Sequence, residues 1–99
     1  MAGSIIVCGM GHCGYRIVEL LRRLGEPVAV VTQATREAWI REARAGGAQV
    51  IVGDARDRPL LVDAGIESAR ALIAATDQDA VNIEIALDAK RLCPDLPVV

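Results

Sequence analysis

The chain has 99 residues, of which 53% are apolar and 24% charged, and its formal net charge is -2. That length suits one domain of residues 1–99, and that composition argues against disorder. The small net charge excludes general attraction to nucleic acid or to an acidic membrane surface, so no nucleic-acid partner is expected.

The apolar run Ser4 to Cys8 reads as a first buried strand, closed by glycine. It is far too short to cross a bilayer. Helical spacing follows from His12 to Leu24, where Ile17, Leu20, Leu21 and Leu24 share a face and Gly25 ends the helix. A second strand runs over Val28–Val31, with Pro27 tolerated at its start. Thr32 or Thr35 then caps a helix expected from about Arg36 to Ala45, which Gly46-Gly47 breaks.

Ala48 to Val52 reads as a third strand ended by Gly53-Asp54. Arg58 to Ala64 reads as a short helix with Asp57 as its cap and Pro59 in its first turn. Ala71 to Ala75 is the fourth strand. A longer helix starts at Thr76 or Asp77 and reaches about Leu92, with Val81, Ile85 and Leu92 as its buried stripe. Pro94 and Pro97 bracket a final short strand, Leu96 to Val99. Strands alternating with helices predict βαβ units: a three-layer, Rossmann-like α/β domain with a parallel sheet, expected to break off within its fifth strand.

The run Gly9-Met10-Gly11-His12-Cys13-Gly14 joins the first strand to the first helix. In this context, glycine at the first position permits a tight turn. At the second it lets backbone approach a pyrophosphate, and at the third it lets helix and strand pack closely. The helix start adds unpaired amides and a partial positive charge for an anion. The alternative is a tight connection with no ligand. His12 faces this turn without a metal-ligand set around it.

Sites that prefer NAD place Asp or Glu at the end of the second strand, where it accepts from the ribose hydroxyls. Thr32-Gln33 stands there instead, uncharged but able to hydrogen-bond. Arg36 is close enough in sequence to serve a 2′-phosphate or other nucleotide phosphates, or else begins a surface helix. Asp54-Ala55 and Thr76-Asp77 follow the third and fourth strands, so they share the sheet edge of the glycine turn. Asp54 can meet an adenine amino group or ribose, and Thr76 can donate to phosphate or ribose; both can equally be turn residues or caps. Asn82 is left without chemistry, as an amide that satisfies a loop carbonyl or meets the ligand side.

Cys8, Cys13 and Cys93 form no metal set, and no general base accompanies Cys13. An odd number of cysteines without a secretory signal fits a reduced, cytoplasmic setting.

Taken together, Ile6 to Gly14, Val50 to Ala55, Ala64 to Ala69, Leu72 to Asn82 and Lys90 to Val99 resemble the TrkA-N domain. This is also called the RCK or KTN domain of potassium channel and transporter regulators. The Thr-Asp-x-Asp-x-x-Asn pattern from Thr76 to Asn82 is the most specific part. The resemblance implies regulation and no enzymatic turnover, with NAD or NADH as ligand and NADP, ATP, ADP or AMP as alternatives. It implies a site of Gly9, Met10, Gly11, His12, Cys13, Gly14, Thr32, Gln33, Arg36, Asp54, Ala55, Thr76 and Asp77. It also implies a homodimer or higher homo-oligomer beside a membrane potassium channel or transporter subunit, at the inner face of the membrane. Such domains continue through a sixth strand and a further helix, so a truncated or degenerate domain, or one completed by another copy, is expected. The competing readings are a fragment of a small NAD(P)-dependent oxidoreductase and a structural oligomerisation domain.

Overall fold

The computed structural model describes residues 3–33 and 36–99. Four strands, β1 (Ile5–Cys8), β2 (Val28–Thr32), β3 (Gln49–Val52) and β4 (Ala71–Ala74), form one parallel sheet in the order β3-β2-β1-β4. The helices are α1 (His12–Arg23), α2 (Glu37–Ala45), α3 (Arg58–Asp63) and α4 (Asp79–Leu92), with a 3-10 turn at Ile66–Ser68. This is the Rossmann-like α/β arrangement expected from the sequence. The direction of strand progression reverses between β1 and β4.

The sheet is buried on both faces because successive side chains of a strand point to opposite sides. On one side, Val7, Val28 and Val30 pack with Val18 of α1 and with Ile40 and Ala43 of α2. On the other, Ile6, Cys8, Ala29 and Val31 pack with Leu61 of α3 and with Ile85 and Ala89 of α4. Full burial of such an aliphatic side chain contributes about 1.5–3 kcal/mol. Trp39 and Tyr15 sit at the margin of the first core.

Three sequence expectations shift. Leu20 of α1 and Leu24, its C-cap, are 57% and 68% exposed, while Val18 is buried. At about 100° per residue, Leu20 lies about 200° round from Val18, so the inward arc runs through Gly14, Val18 and Leu21. Arg36 is the N-cap of α2 and Gln78 that of α4. Thr32 is therefore no cap; it closes β2, and Thr35 lies outside the described residues. The expected strand Leu96 to Val99 is a single parallel bridge, Val98 to Leu72. Leu72 and Ala74 donate to the carbonyls of Pro97 and Val99, and Val99 donates to Leu72. Pro97 brings no amide donor of its own.

Burial pushes the Cys8 thiol up to about 12, whereas Cys13 is exposed. An alkylating reagent at pH 8 is expected to label Cys13 in the native protein and to reach Cys8 only after unfolding, as mass mapping would show. The same burial favours the protonated thiol, so its stabilising contribution is complete below the unfolded thiol's value of about 8.5 and fades as pH rises towards 12. Urea unfolding across that window checks the sign, with Cys8→Ala removing its share of the slope.

Candidate functional site

The turn between β1 and α1 is built by backbone contacts. Gly9 has φ +97, and a Cβ there would stand 2.9 Å from the Thr76 Cα and amide nitrogen. Gly14 is packed as closely, since its Cβ would lie 2.1 Å from the Gly9 carbonyl oxygen. Both glycines are thus required by the fold. Gly11 differs: its backbone is extended (φ -77, ψ -158), and a Cβ there would find nothing within 4 Å. Neither backbone strain nor packing within the protein explains the residue, whereas close backbone approach by a phosphate would.

Gly11 is the N-cap of α1, with no side-chain capping bond and no acidic residue in the first turn. The helix therefore presents amide donors at its start. Beyond it opens a cavity of about 430 Å³ at the C-terminal ends of the strands. Such a crevice, at the point where strand order reverses, is the ligand position of doubly wound folds.

All the site residues expected from the sequence line this cavity except Cys13 and Gly14. Gly14 instead packs beneath the turn. Cys13 faces a second hollow, along the outer side of α1 with Tyr15 and Arg16. Residues the sequence reading did not select complete the crevice: Val31 and Gly53 at strand ends, with Val81 and Ile85 as an apolar wall from α4. Val81 and Ile85 were legible as the buried stripe of α4, although not as part of a site.

Thr32 is buried and its hydroxyl accepts from the Met10 amide at 3.0 Å. It thereby fastens the end of β2 to the glycine turn. Gln33 beside it is exposed. Asp54 accepts from the Arg56 amide at 2.9 Å and from the Arg56 guanidinium at 2.7 Å and 3.1 Å. Those bonds hold its carboxyl below the ordinary carboxylate range, and Arg56 also reaches Glu84 of α4 at 3.7 Å. A carboxylate held this way accepts hydrogen bonds but is no proton donor near neutral pH.

Thr76 is held by Asn82. Asn82 Oδ1 accepts from the Thr76 amide at 2.9 Å and from its hydroxyl at 2.6 Å, and Asn82 Nδ2 donates to the Thr76 carbonyl at 3.1 Å. The amide that the sequence left without chemistry therefore shapes the β4–α4 turn. The Thr76 hydroxyl proton already has a partner, while Asp77 next to it is exposed on the crevice. Among the described residues no cluster of three His, Cys, Asp or Glu side chains could hold a metal ion. No described helix is long and apolar enough to cross a membrane.

Two stability contrasts follow. Gly9→Ala is expected to cost roughly 2–5 kcal/mol, from left-handed strain and backbone overlap, while Gly11→Ala leaves urea unfolding nearly unchanged. Asn82→Ala is expected to cost about 1–3 kcal/mol by the same measurement, because it strands polar groups of the Thr76 turn.

Residues 5–99 match the family model described as the TrkA-N domain. The chain is 34% identical over 96 residues to Potassium channel protein 1 of Methanocaldococcus jannaschii, covering 95% of this chain and 28% of that protein. A solved structure of the TrkA-N domain of the inner membrane protein ybaL from Escherichia coli superposes with a TM-score of 0.87 at 23% identity, covering 99% of this chain and 71% of that one. The Shewanella denitrificans Kef CTD in AMP-bound form superposes with a TM-score of 0.83 at 26% identity, covering 97% and 56%. A siroheme synthase from Pseudomonas putida is 31% identical over 97 residues, covering 98% of this chain and 20% of the enzyme. The chain thus spans less than half the length of the curated relatives it matches.

Proposed function

The chain belongs to the TrkA-N domain family, and on that premise we propose that it is a nucleotide-sensing regulatory domain controlling a potassium channel or transporter. The observation that carries the reading is the crevice over the glycine turn, where Gly11 leaves open space that the fold itself does not require. The ligand is an adenine nucleotide, with its phosphates at Gly9 to His12 and its adenosine towards Thr32, Gln33 and Asp54-Ala55. Cys13 and Gly14 support the phosphate turn from outside the crevice, and Thr76 and Asp77 border its other side. The AMP-bound state of the Kef relative supports this ligand class. NAD or NADH is the first pair to test, with NADP, ATP, ADP and AMP beside it.

Regulation further requires two arrangements of paired domains that bind the nucleotide with different affinity, since equal affinity shifts no population. In this reading the chain acts as a homodimer or larger homo-oligomer on the cytoplasmic side of a membrane potassium channel or transporter subunit. The likeness to a potassium channel protein supports that partner.

The siroheme synthase relative favours a second reading, as a dinucleotide-binding unit of an enzyme. That reading needs a proton donor near the reacting carbon, a role for which the ionised, Arg56-paired Asp54 is unsuited. Hydride transfer from NADH to a substrate, abolished in Gly11→Val, would establish it.

Calorimetric titration with the six nucleotides separates sensing from an idle oligomerisation domain. At least one is expected to bind with Kd below about 1 mM, and Gly11→Val is expected to weaken it by about tenfold or more without lowering Tm. Absence of binding by all six, or full affinity in Gly11→Val, would remove the proposal.

A further inference from the structure

The chain contains one Trp, one Tyr, one His and no Phe. The structure gathers all three rings, with His12 on the crevice and Tyr15 and Trp39 along the adjoining hollow on α1. Trp39 of α2 stacks on Tyr15 of α1, with centroids 4.6 Å apart and planes 9° from parallel. His12 meets Trp39 edge-on at 5.3 Å and 82°. The Tyr15 hydroxyl donates to the Glu42 carboxylate, fixing one end of the stack. Over Trp39 lies the Arg36 guanidinium, its central carbon 4.4 Å from the ring centroid.

Aromatic rings commonly build cores. Here Tyr15 and Trp39 pack at the core margin, and Trp39 also carries an arginine over its ring. Arg36 is exposed, lines the crevice and makes no ion pair among the described residues. Stacking on Trp39 restricts a long flexible side chain and leaves its planar N–H fork available to an anion. Nearby, at the end of β2, a carboxylate is lacking where it would accept from a free ribose hydroxyl and repel a ribose phosphate. Thr32 is uncharged, buried and bonded to the Met10 amide. Asp54 at the next strand end is already paired with Arg56.

We propose that the crevice selects nucleotides bearing a phosphate on the 2′-oxygen of the adenosine ribose, with Arg36 as the specificity-determining residue and Trp39 as its positioning residue. This rests on the crevice being an adenine-nucleotide site. The shared chemistry is an adenosine 2′-phosphate, whether carried by oxidised NADP or by NADPH.

The test is calorimetry with adenosine 2′,5′-bisphosphate, adenosine 3′,5′-bisphosphate and AMP, repeated with NADP, NADPH and NAD. The 2′,5′-bisphosphate is expected to bind about tenfold or more tightly than either of the other two adenosines, and both NADP forms more tightly than NAD. Arg36→Ala should reduce the preference over AMP to within about twofold, by weakening the 2′,5′-bisphosphate far more than AMP. Trp39→Leu should weaken the preference with Arg36 intact, circular dichroism confirming that each variant is folded.

AMP binding as tightly as the 2′,5′-bisphosphate would overturn the proposal and leave the nucleotide site standing. So would equal binding of the 3′,5′-isomer, or a preference that survives Arg36→Ala. If the wild-type chain binds none of these compounds, the nucleotide site itself falls, and this selectivity with it.

Discussion

The turn after β1 and the turn after β4 meet backbone to backbone at Gly9 and Thr76, and the rest of the crevice depends on that approach. With φ +97 and no room for a Cβ, Gly9 lets the chain reverse direction while touching its neighbour. Gly14 presses against the Gly9 carbonyl and thereby sets where α1 begins. Two further ties hold the same edge: Thr32 to the Met10 amide, and Asn82 to three atoms of Thr76. The site is consequently backbone-built, and its side chains adjust a shape that the sheet already imposes.

Charge within that shape is organised by prior pairing. Asp54 belongs to a Arg56–Glu84 chain that runs from the end of β3 to α4, so the carboxylate is oriented before any ligand arrives. Arg36, by contrast, lies over an aromatic ring and makes no ion pair among the described residues. One strand end thus carries a carboxylate held by an internal partner, and another carries an arginine held by a ring. Side chains held in this way have little conformational freedom left to lose.

The parts of this architecture legible in the sequence are those written in short-range signals. Glycine positions report backbone needs, and strand–helix alternation reports the doubly wound order. Leu20 and Leu24 were misleading because apolar spacing defines a stripe without saying which arc the sheet covers; the packing of Gly14 decides that. The partners of Asp54 and Thr76 depend on turns whose exact course no periodicity encodes. The Trp39 stack joins α1 to α2 across the sheet face, a tertiary contact between residues 24 apart in the case of Tyr15. Asn82 fell between these cases: its conspicuous place near a helix start was visible, and its partner was not.

A single indole, in contact with a phenol and with a guanidinium that reaches the crevice, makes the protein its own optical reporter. All tryptophan emission comes from Trp39, with no second indole to dilute it. Any event that pulls Arg36 or His12 towards the crevice alters the quenching environment of that ring. A ligand at the strand ends that moved Arg36 or His12 would thereby change light emitted from the surface of α2, without a label being attached.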